Sequence, residues 1–252
     1  MINIIYKIYS FCIALPLFLI ATILTATIVS IAALFGDYRY TCYYVPMWWS
    51  RITCAVFLLP VKVEGREHLD PNQSYVFLAN HQGYFDIFLT YGYLGHNFKW
   101  MMKEYIKKFP FAGWACMACR QIFVGDSISS ISSAVNLART TLQGGISMVI
   151  FPEGTRSYDG KMIAFKRGAF MLANEIGLPI VPLTINGSFD IFNRKAKSVT
   201  WGRLTLTIHE PITPEQRAGK PTKVFMEEVH DIIESRVECP SAPEPQVKGE
   251  AQ

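Results

Sequence analysis

From Phe11 to Phe35 the chain carries no charged residue. A helix of that length crosses a hydrocarbon core of ~30 Å. This sets the segment apart as a retained membrane helix. A secretory signal has a shorter apolar region followed by a small-x-small cleavage site, and no clear site of that kind follows here. Half of the 252 residues are hydrophobic and only 17% are charged, which is too apolar for an ordinary soluble domain. The excess sits at this end. A second apolar stretch, Tyr43 to Leu59, holds Trp48, Trp49 and Arg51 in its middle. Indoles and a snorkelling arginine suit a helix at headgroup level. Pro16 marks a kink in the first helix. A hairpin that dips into one leaflet and a single true span both fit this pattern. Residues 1–60 are thus read as a two-helix membrane anchor.

After Pro60 the pattern becomes that of an α/β domain over residues 61–238. "VKVEGRE" (61–67), "SYVFLAN" (74–80), "FKWMMK" (98–103), "RQIFVG" (120–125) and "ISMVIF" (146–151) read as strands. So does "RLTLTIHE" (203–210). "LPIVPLTIN" (178–186) contains two prolines, which predicts an edge or irregular strand. Helices are predicted over 86–94, 168–177 and near the C-terminus. Another is capped by Asp126 or Ser127 and stopped by Gly144 and Gly145. The fold class is therefore α/β: a mixed, mostly parallel sheet flanked by helices. The tail, 239–252, rich in Pro and Glu, is read as disordered.

The net charge of +4 suits an anionic membrane surface or phosphate-bearing substrates. It is too weak to indicate nucleic acid. The six cysteines are scattered, and Cys116 and Cys119 form a lone C-x-x-C with no second pair. They read as small buried hydrophobes in a reducing compartment rather than a zinc site. No metal is expected.

Two short motifs carry the chemistry. "NHQGYFD", Asn80 to Asp86, begins where a buried strand ends, the edge at which open α/β sheets bind ligands. His81 can accept and return a proton near neutral pH. A carboxylate on its Nδ1 would fix the tautomer and leave Nε2 as base. Five helical residues turn ~500°, so His81 and Asp86 meet only if His81 lies in the loop and Asp86 in the first helical turn. Gly83 would absorb the bend. "FPEGTRS", Phe151 to Ser157, also follows a buried strand. Arg156 offers a planar fork of donors suited to phosphate, and Glu153 could orient it or hold a hydroxyl. The bland alternatives are a loop histidine and a surface turn with a weak ion pair. No G-x-S-x-G elbow supports a serine nucleophile.

With these two motifs the chain resembles the glycerolipid acyltransferases, most closely the bacterial 1-acyl-sn-glycerol-3-phosphate acyltransferases. The shared residues are Asn80, His81 and Asp86, the complete Phe151–Ser157 run, "LPIVPL" (178–183), "FKRGAF" (165–170) and Lys103 in "WMMKEYI". The resemblance spans about residues 60 to 212. It implies transfer of a fatty acyl group from a thioester, acyl-CoA or acyl-carrier protein, to a lysophospholipid hydroxyl, without a further cofactor. His81 and Asp86 would be catalytic. Glu153, Gly154, Thr155, Arg156 and Lys103 would bind the acceptor. It also implies a bilayer partner and an active site facing the cytoplasm at a bacterial inner membrane.

One element departs. The family's Gly-x-x-Phe-Ile-x-Arg motif reads "RQIFVGD" here, with Arg120 in place of the glycine and Asp126 in place of the phosphate-binding arginine. Another lysolipid or an aminolipid acceptor is the alternative this opens. A catalytically inactive lipid-binding protein is a third reading, against which the intact His81, Asp86 and Glu153–Arg156 run argues.

Overall fold

The computed structural model describes residues 2–36, 39–125 and 127–238. Asp126 and the tail over 239–252 lie outside these described residues.

An apolar helix runs from Ile2 to Leu34 in three pieces: α1 (Ile2–Tyr9), a π-helical turn over Ser10–Ala14, and α2 (Leu15–Leu34). The widened turn ends just before Pro16, whose ring would collide with the carbonyl four residues back in a regular helix. The stretch Ile4–Leu34 is long and apolar enough to cross a membrane.

The second apolar stretch forms α3 (Thr41–Val56). It is only partly a surface helix. Trp48 is exposed, but Tyr43, Met47 and Cys54 join one core with Phe85 and Leu89 of α4 (Phe85–Tyr93). Arg51 donates from Nε to the Gly92 carbonyl at 2.7 Å. The two apolar helices are also tied together. Tyr6 and Tyr9 donate their hydroxyls to the carbonyls of Phe57 (2.8 Å) and Val56 (2.7 Å) at the end of α3. Trp49 donates to Thr22 at 3.0 Å. α1, α2 and α3 therefore cover one face of the domain.

The sheet contains β1 (Val61–Glu64), β2 (Val76–Ala79), β3 (Phe98–Lys103), β4 (Ile122–Val124), β5 (Ser147–Ile150), β6 (Ile180–Asn186) and β7 (Leu204–Ile208). Their order is β1-β7-β6-β2-β5-β3-β4. Every neighbouring pair is parallel except β6 with β7. This is the mixed, mostly parallel sheet that the alternation of elements predicts. Strand periodicity splits the core in two. Phe77, Val149 and Val181 share one apolar cluster with residues of α3 and α4. Val76, Leu78, Met148 and Ile150 share the other with α6 (Ile128–Thr141), α7 (Arg167–Ile176) and α10 (Thr222–Glu234). The remaining α-helices among the described residues are α5 (Ala112–Ala118), α8 (Ser188–Phe192) and α9 (Pro214–Arg217).

Two local expectations change. The strand predicted over 61–67 stops at Glu64, because Gly65 turns to φ +81° where any Cβ would lie 2.0 Å from the Ile208 carbonyl oxygen. The proline-bearing segment is not an edge. β6 lies between β2 and β7. Pro179 precedes the strand, and Pro182 lacks only a donor: its carbonyl still accepts the His209 N–H at 3.0 Å. Antiparallel pairing with β7 begins one residue later, at Leu183. The helix cap falls on Ser127, whose hydroxyl accepts the Ser130 N–H at 3.2 Å.

Candidate active site

Adjacent parallel strands β2, β5 and β3 end on one edge of the sheet, so the loops that follow them are neighbours. The β2 loop delivers His81 and the β5 loop delivers Phe151 to Ser157. Asn80 is fully buried and locks the exit of β2 to β6: its amide donates to the Ile185 carbonyl at 2.9 Å and its oxygen accepts the Ile185 N–H at 2.7 Å.

His81 lies in the loop and Asp86 in the first turn of α4, the arrangement their spacing requires. His81 Nδ1 is 2.6 Å from Asp86 Oδ2. The same oxygen accepts the N–H groups of Gln82 at 2.7 Å and Gly83 at 2.9 Å. Asp86 is completely buried, while His81 retains some exposure. Gly83 serves differently from the bend expected of it. Its φ is not positive, but a Cβ there would lie 2.5 Å from the Ser188 carbonyl oxygen, so the glycine admits α8.

The second motif grips the main chain of His81. Glu153 Oε1 accepts the His81 N–H at 2.7 Å, and the Ser157 N–H donates to the His81 carbonyl at 2.8 Å. Glu153 Oε2 accepts the Ile163 N–H at 3.2 Å. Glu153 is buried, so both oxygens face the protein rather than solvent. Burial pushes its carboxyl up to about 7. The His81 and Ile163 donors pull against that shift, and the Asp86 charge adds to it. The His81 ring stacks on Phe151 at 4.0 Å and 9°, and Phe151 stacks in turn on Trp100 at 5.5 Å.

Arg156 lies over the Tyr84 ring at 3.7 Å. Thr155 Oγ1 accepts from Arg194 Nη1 at 3.3 Å, and Arg194 lies over Tyr158 at 4.0 Å. Gly154 has φ +69°, and a Cβ there would meet Lys166 Nζ at 2.7 Å. Lys103, at the end of β3, borders the same space. His81, Phe151, Thr155, Arg156, Lys166 and Lys103 all line one cavity of about 630 Å³. Away from these groups its walls are largely apolar, with Val29 from α2, Trp49 from α3 and Cys116 from α5 among them. The site thus pairs a histidine held by a buried carboxylate with cationic groups and a greasy chamber.

The sequence motifs place His81, Asp86, Gly154, Thr155, Arg156 and Lys103 together. They do not reveal Tyr84 and Phe151 as ring platforms, although both lie inside the motifs. Lys166 sits in the "FKRGAF" segment without a role attached, and nothing in the sequence around Arg194 marks it. Arg120 adopts φ +52°, a left-handed conformation that favours glycine, which accounts for the glycine expected at that position.

A family model described as "Acyltransferase" matches residues 60–186. A 1-acyl-sn-glycerol-3-phosphate acyltransferase of Chlamydomonas reinhardtii is 30% identical over 217 residues, covering 84% of this chain and 63% of its own length. The human 1-acyl-sn-glycerol-3-phosphate acyltransferase alpha is 34% identical over 160 residues, 62% of this chain and 56% of its own. The chloroplastic LPAT1 of Arabidopsis thaliana is 30% identical over 187 residues, 71% and 51%. The chain thus spans under two thirds of the length of these relatives. The crystal structure of the 1-acyl-sn-glycerophosphate acyltransferase PlsC from Thermotoga maritima superposes with a TM-score of 0.77. It covers 92% of this chain and 93% of the other at 23% identity, a likeness of fold.

Proposed function

Because the chain belongs to the acyltransferase family, we propose that it transfers a fatty acyl group from a thioester to the free hydroxyl of 1-acyl-sn-glycerol-3-phosphate, giving phosphatidic acid. The observation that carries this reading is the 2.6 Å contact of His81 Nδ1 with Asp86 at the edge of an apolar chamber. Asp86 holds the ring with Nε2 unprotonated. Nε2 takes the proton as the acceptor's oxygen attacks the thioester carbonyl. The tetrahedral intermediate collapses, the C–S bond breaks, and the imidazolium returns its proton to the departing thiolate. The acceptor is itself the nucleophile and the donor arrives activated, so the chemistry needs no resident cofactor. General-base help of ~10²–10⁴-fold together with positioning suits a thioester reaction.

Arg156, Lys166, Arg194 and Lys103 supply positive charge for the acceptor's phosphate. Glu153 acts through His81, whose main chain it holds. The apolar chamber takes the fatty chain, at ~0.8 kcal/mol per buried CH₂. Acyl-CoA and acyl-carrier protein are both thioesters and both fit this chemistry. The helix over 4–34 holds the domain to a membrane with the site facing the cytoplasm. The test is purified protein in detergent with palmitoyl thioesters and a panel of lysolipids, phosphate-only and amine-bearing. Phosphatidic acid formation that disappears in His81→Ala supports the reading. Absence of transfer to every acceptor overturns it.

A further inference from the structure

Between β3 and the end of α5 the chain presents an outward apolar surface, of which only Tyr105 also borders the cavity. Tyr105, Phe109, Phe111, Trp114 and Met117 are 59%, 53%, 49%, 55% and 42% exposed. Single exposed apolar residues are ordinary, but five within thirteen residues form a patch that marks an interaction site. The rings touch in pairs, Tyr105 with Phe109 at 6.2 Å and Phe111 with Trp114 at 5.5 Å.

The patch is built rather than loose. Phe111 holds φ +58°, a conformation that costs a non-glycine residue roughly 1–3 kcal/mol and that the surroundings must enforce. Gly113 is needed where α5 crosses the preceding turn, since a Cβ would lie 2.5 Å from the Ile106 carbonyl oxygen. The segment 103–120 carries four basic residues against one acidic residue, Glu104. Lys108 is exposed among the rings.

We propose that this segment is a second membrane contact, seated at the headgroup level of an anionic bilayer. Aromatic rings with interleaved lysines match that depth, where a ring meets apolar chains on one side and water on the other. Continuity favours a lipid over a protein partner. α5 packs directly on α2, whose outer residues Leu24 and Ile28 are themselves exposed. The patch therefore extends the apolar surface of the N-terminal helix. Tyr105 and Ile106 also line the cavity, so the contact sets the cavity mouth at the membrane surface. A lysolipid would then reach His81 without crossing water. The inference rests on the membrane placement proposed above, not on the acyl-transfer chemistry.

The experiment replaces single positions of the full chain with the photocrosslinker p-benzoylphenylalanine: Phe109, Trp114, Leu24 on α2 and, as a control, exposed Val224 on α10. Each variant is reconstituted into vesicles of phosphatidylethanolamine and phosphatidylglycerol, with acyl-carrier protein present as an acidic competitor. Lipid adducts are expected at 109, 114 and 24, and none at 224. Lys108→Glu should lower the adduct yield at 109 roughly five-fold in these vesicles and leave it unchanged in phosphatidylcholine. Lipid adducts at 24 without any at 109 and 114 overturn this inference alone. No lipid adducts at any position overturn the membrane placement and this inference with it. Adducts at 109 and 114 to a second copy or to acyl-carrier protein in place of lipid overturn it in favour of a protein partner.

Discussion

Glu153 accepts the backbone N–H of His81 at 2.7 Å from a position sealed off from solvent. The acid of one motif thus fixes the histidine of the other. Glu153→Gln keeps the shape, but its NH₂ must face one of the two N–H donors that the carboxylate satisfies. The His81 backbone should shift, and kcat should fall about ten-fold, equivalent to ~1.4 kcal/mol. The acceptor KM should stay nearly constant. Steady-state kinetics with varied acceptor check this; a raised KM with intact kcat would instead make Glu153 a direct substrate ligand.

The same carboxyl makes stability depend on pH. Its folded pKa of about 7 lies above the ordinary value of 4.5. Below pH 4.5 the group is protonated in both states and burial carries no charge penalty. As pH rises from 4.5 to about 7, the unfolded chain ionises while the folded chain keeps its buried acid protonated, so stability falls and then levels off once both are ionised. At ~1.4 kcal/mol per pH unit the window is worth up to ~3 kcal/mol. The stability difference between the wild type and Glu153→Gln should therefore change by up to that amount between pH 4.5 and 7, the wild type losing ground. Parallel denaturant titrations measure it, and a constant difference would sink the idea.

Asp86 concentrates three donors on one oxygen, Oδ2. The carbonyl oxygen of an asparagine could take that place without unfolding the loop. Asp86→Asn should leave the melting temperature close to wild type while lowering kcat by roughly 10²–10⁴, because the neutral amide cannot stabilise the imidazolium. His81→Ala should be at least as severe with the fold intact. A His81→Ala variant that keeps most of its turnover would remove the histidine from the mechanism.

Arg156 rests on Tyr84, and among the described residues its fork meets no carboxylate. Arg156→Ala should raise the acceptor KM roughly ten- to a hundred-fold, as for loss of a charge-assisted hydrogen bond. Thioester KM should barely move. Tyr84→Leu should cost about two- to five-fold through lost ring–cation contact, and Arg156→Lys should fall between the two. Acceptor titrations on the three variants test the order.

Gly83 meets the Ser188 backbone, which cannot yield as a flexible side chain would. Gly83→Ala should therefore destabilise the protein by ~1–3 kcal/mol and lower activity, by forcing α8 away from the His81 loop. Because φ at Gly83 is not positive, the backbone alone would tolerate alanine, so an unchanged thermal melt for Gly83→Ala would remove the clash argument.

Much of this was legible in the chain itself. β3 appears at its expected bounds, and the His81–Asp86 pairing follows from helical geometry applied to a five-residue spacing. What escaped had non-local causes. The interior position of β6 depends on Pro182 offering its carbonyl to His209, a partner 27 positions away that proline statistics do not see. The buried face of α3 depends on α4 arriving beneath it. Glu153 reads as a partner of Arg156 or a ligand of the acceptor, because its actual partner, the His81 N–H, is a backbone group without a sequence signature. Arg194 reaches Thr155 only because α8 ends beside the β5 loop.

The hydroxyls of Tyr6 and Tyr9 hang on the last carbonyls of α3. Stripping such a partner from a buried carbonyl costs ~1–3 kcal/mol, so two of them make a stiff joint. The greasy helix and the sheet therefore cannot swing freely past one another, and in the membrane placement proposed above this joint sets the height of His81, like a stylus on a rigid arm. In that placement the proposed lipid acceptor would reach the site by drifting sideways. One added helical turn below the joint, ~5.4 Å, would be enough to lift the stylus off the record.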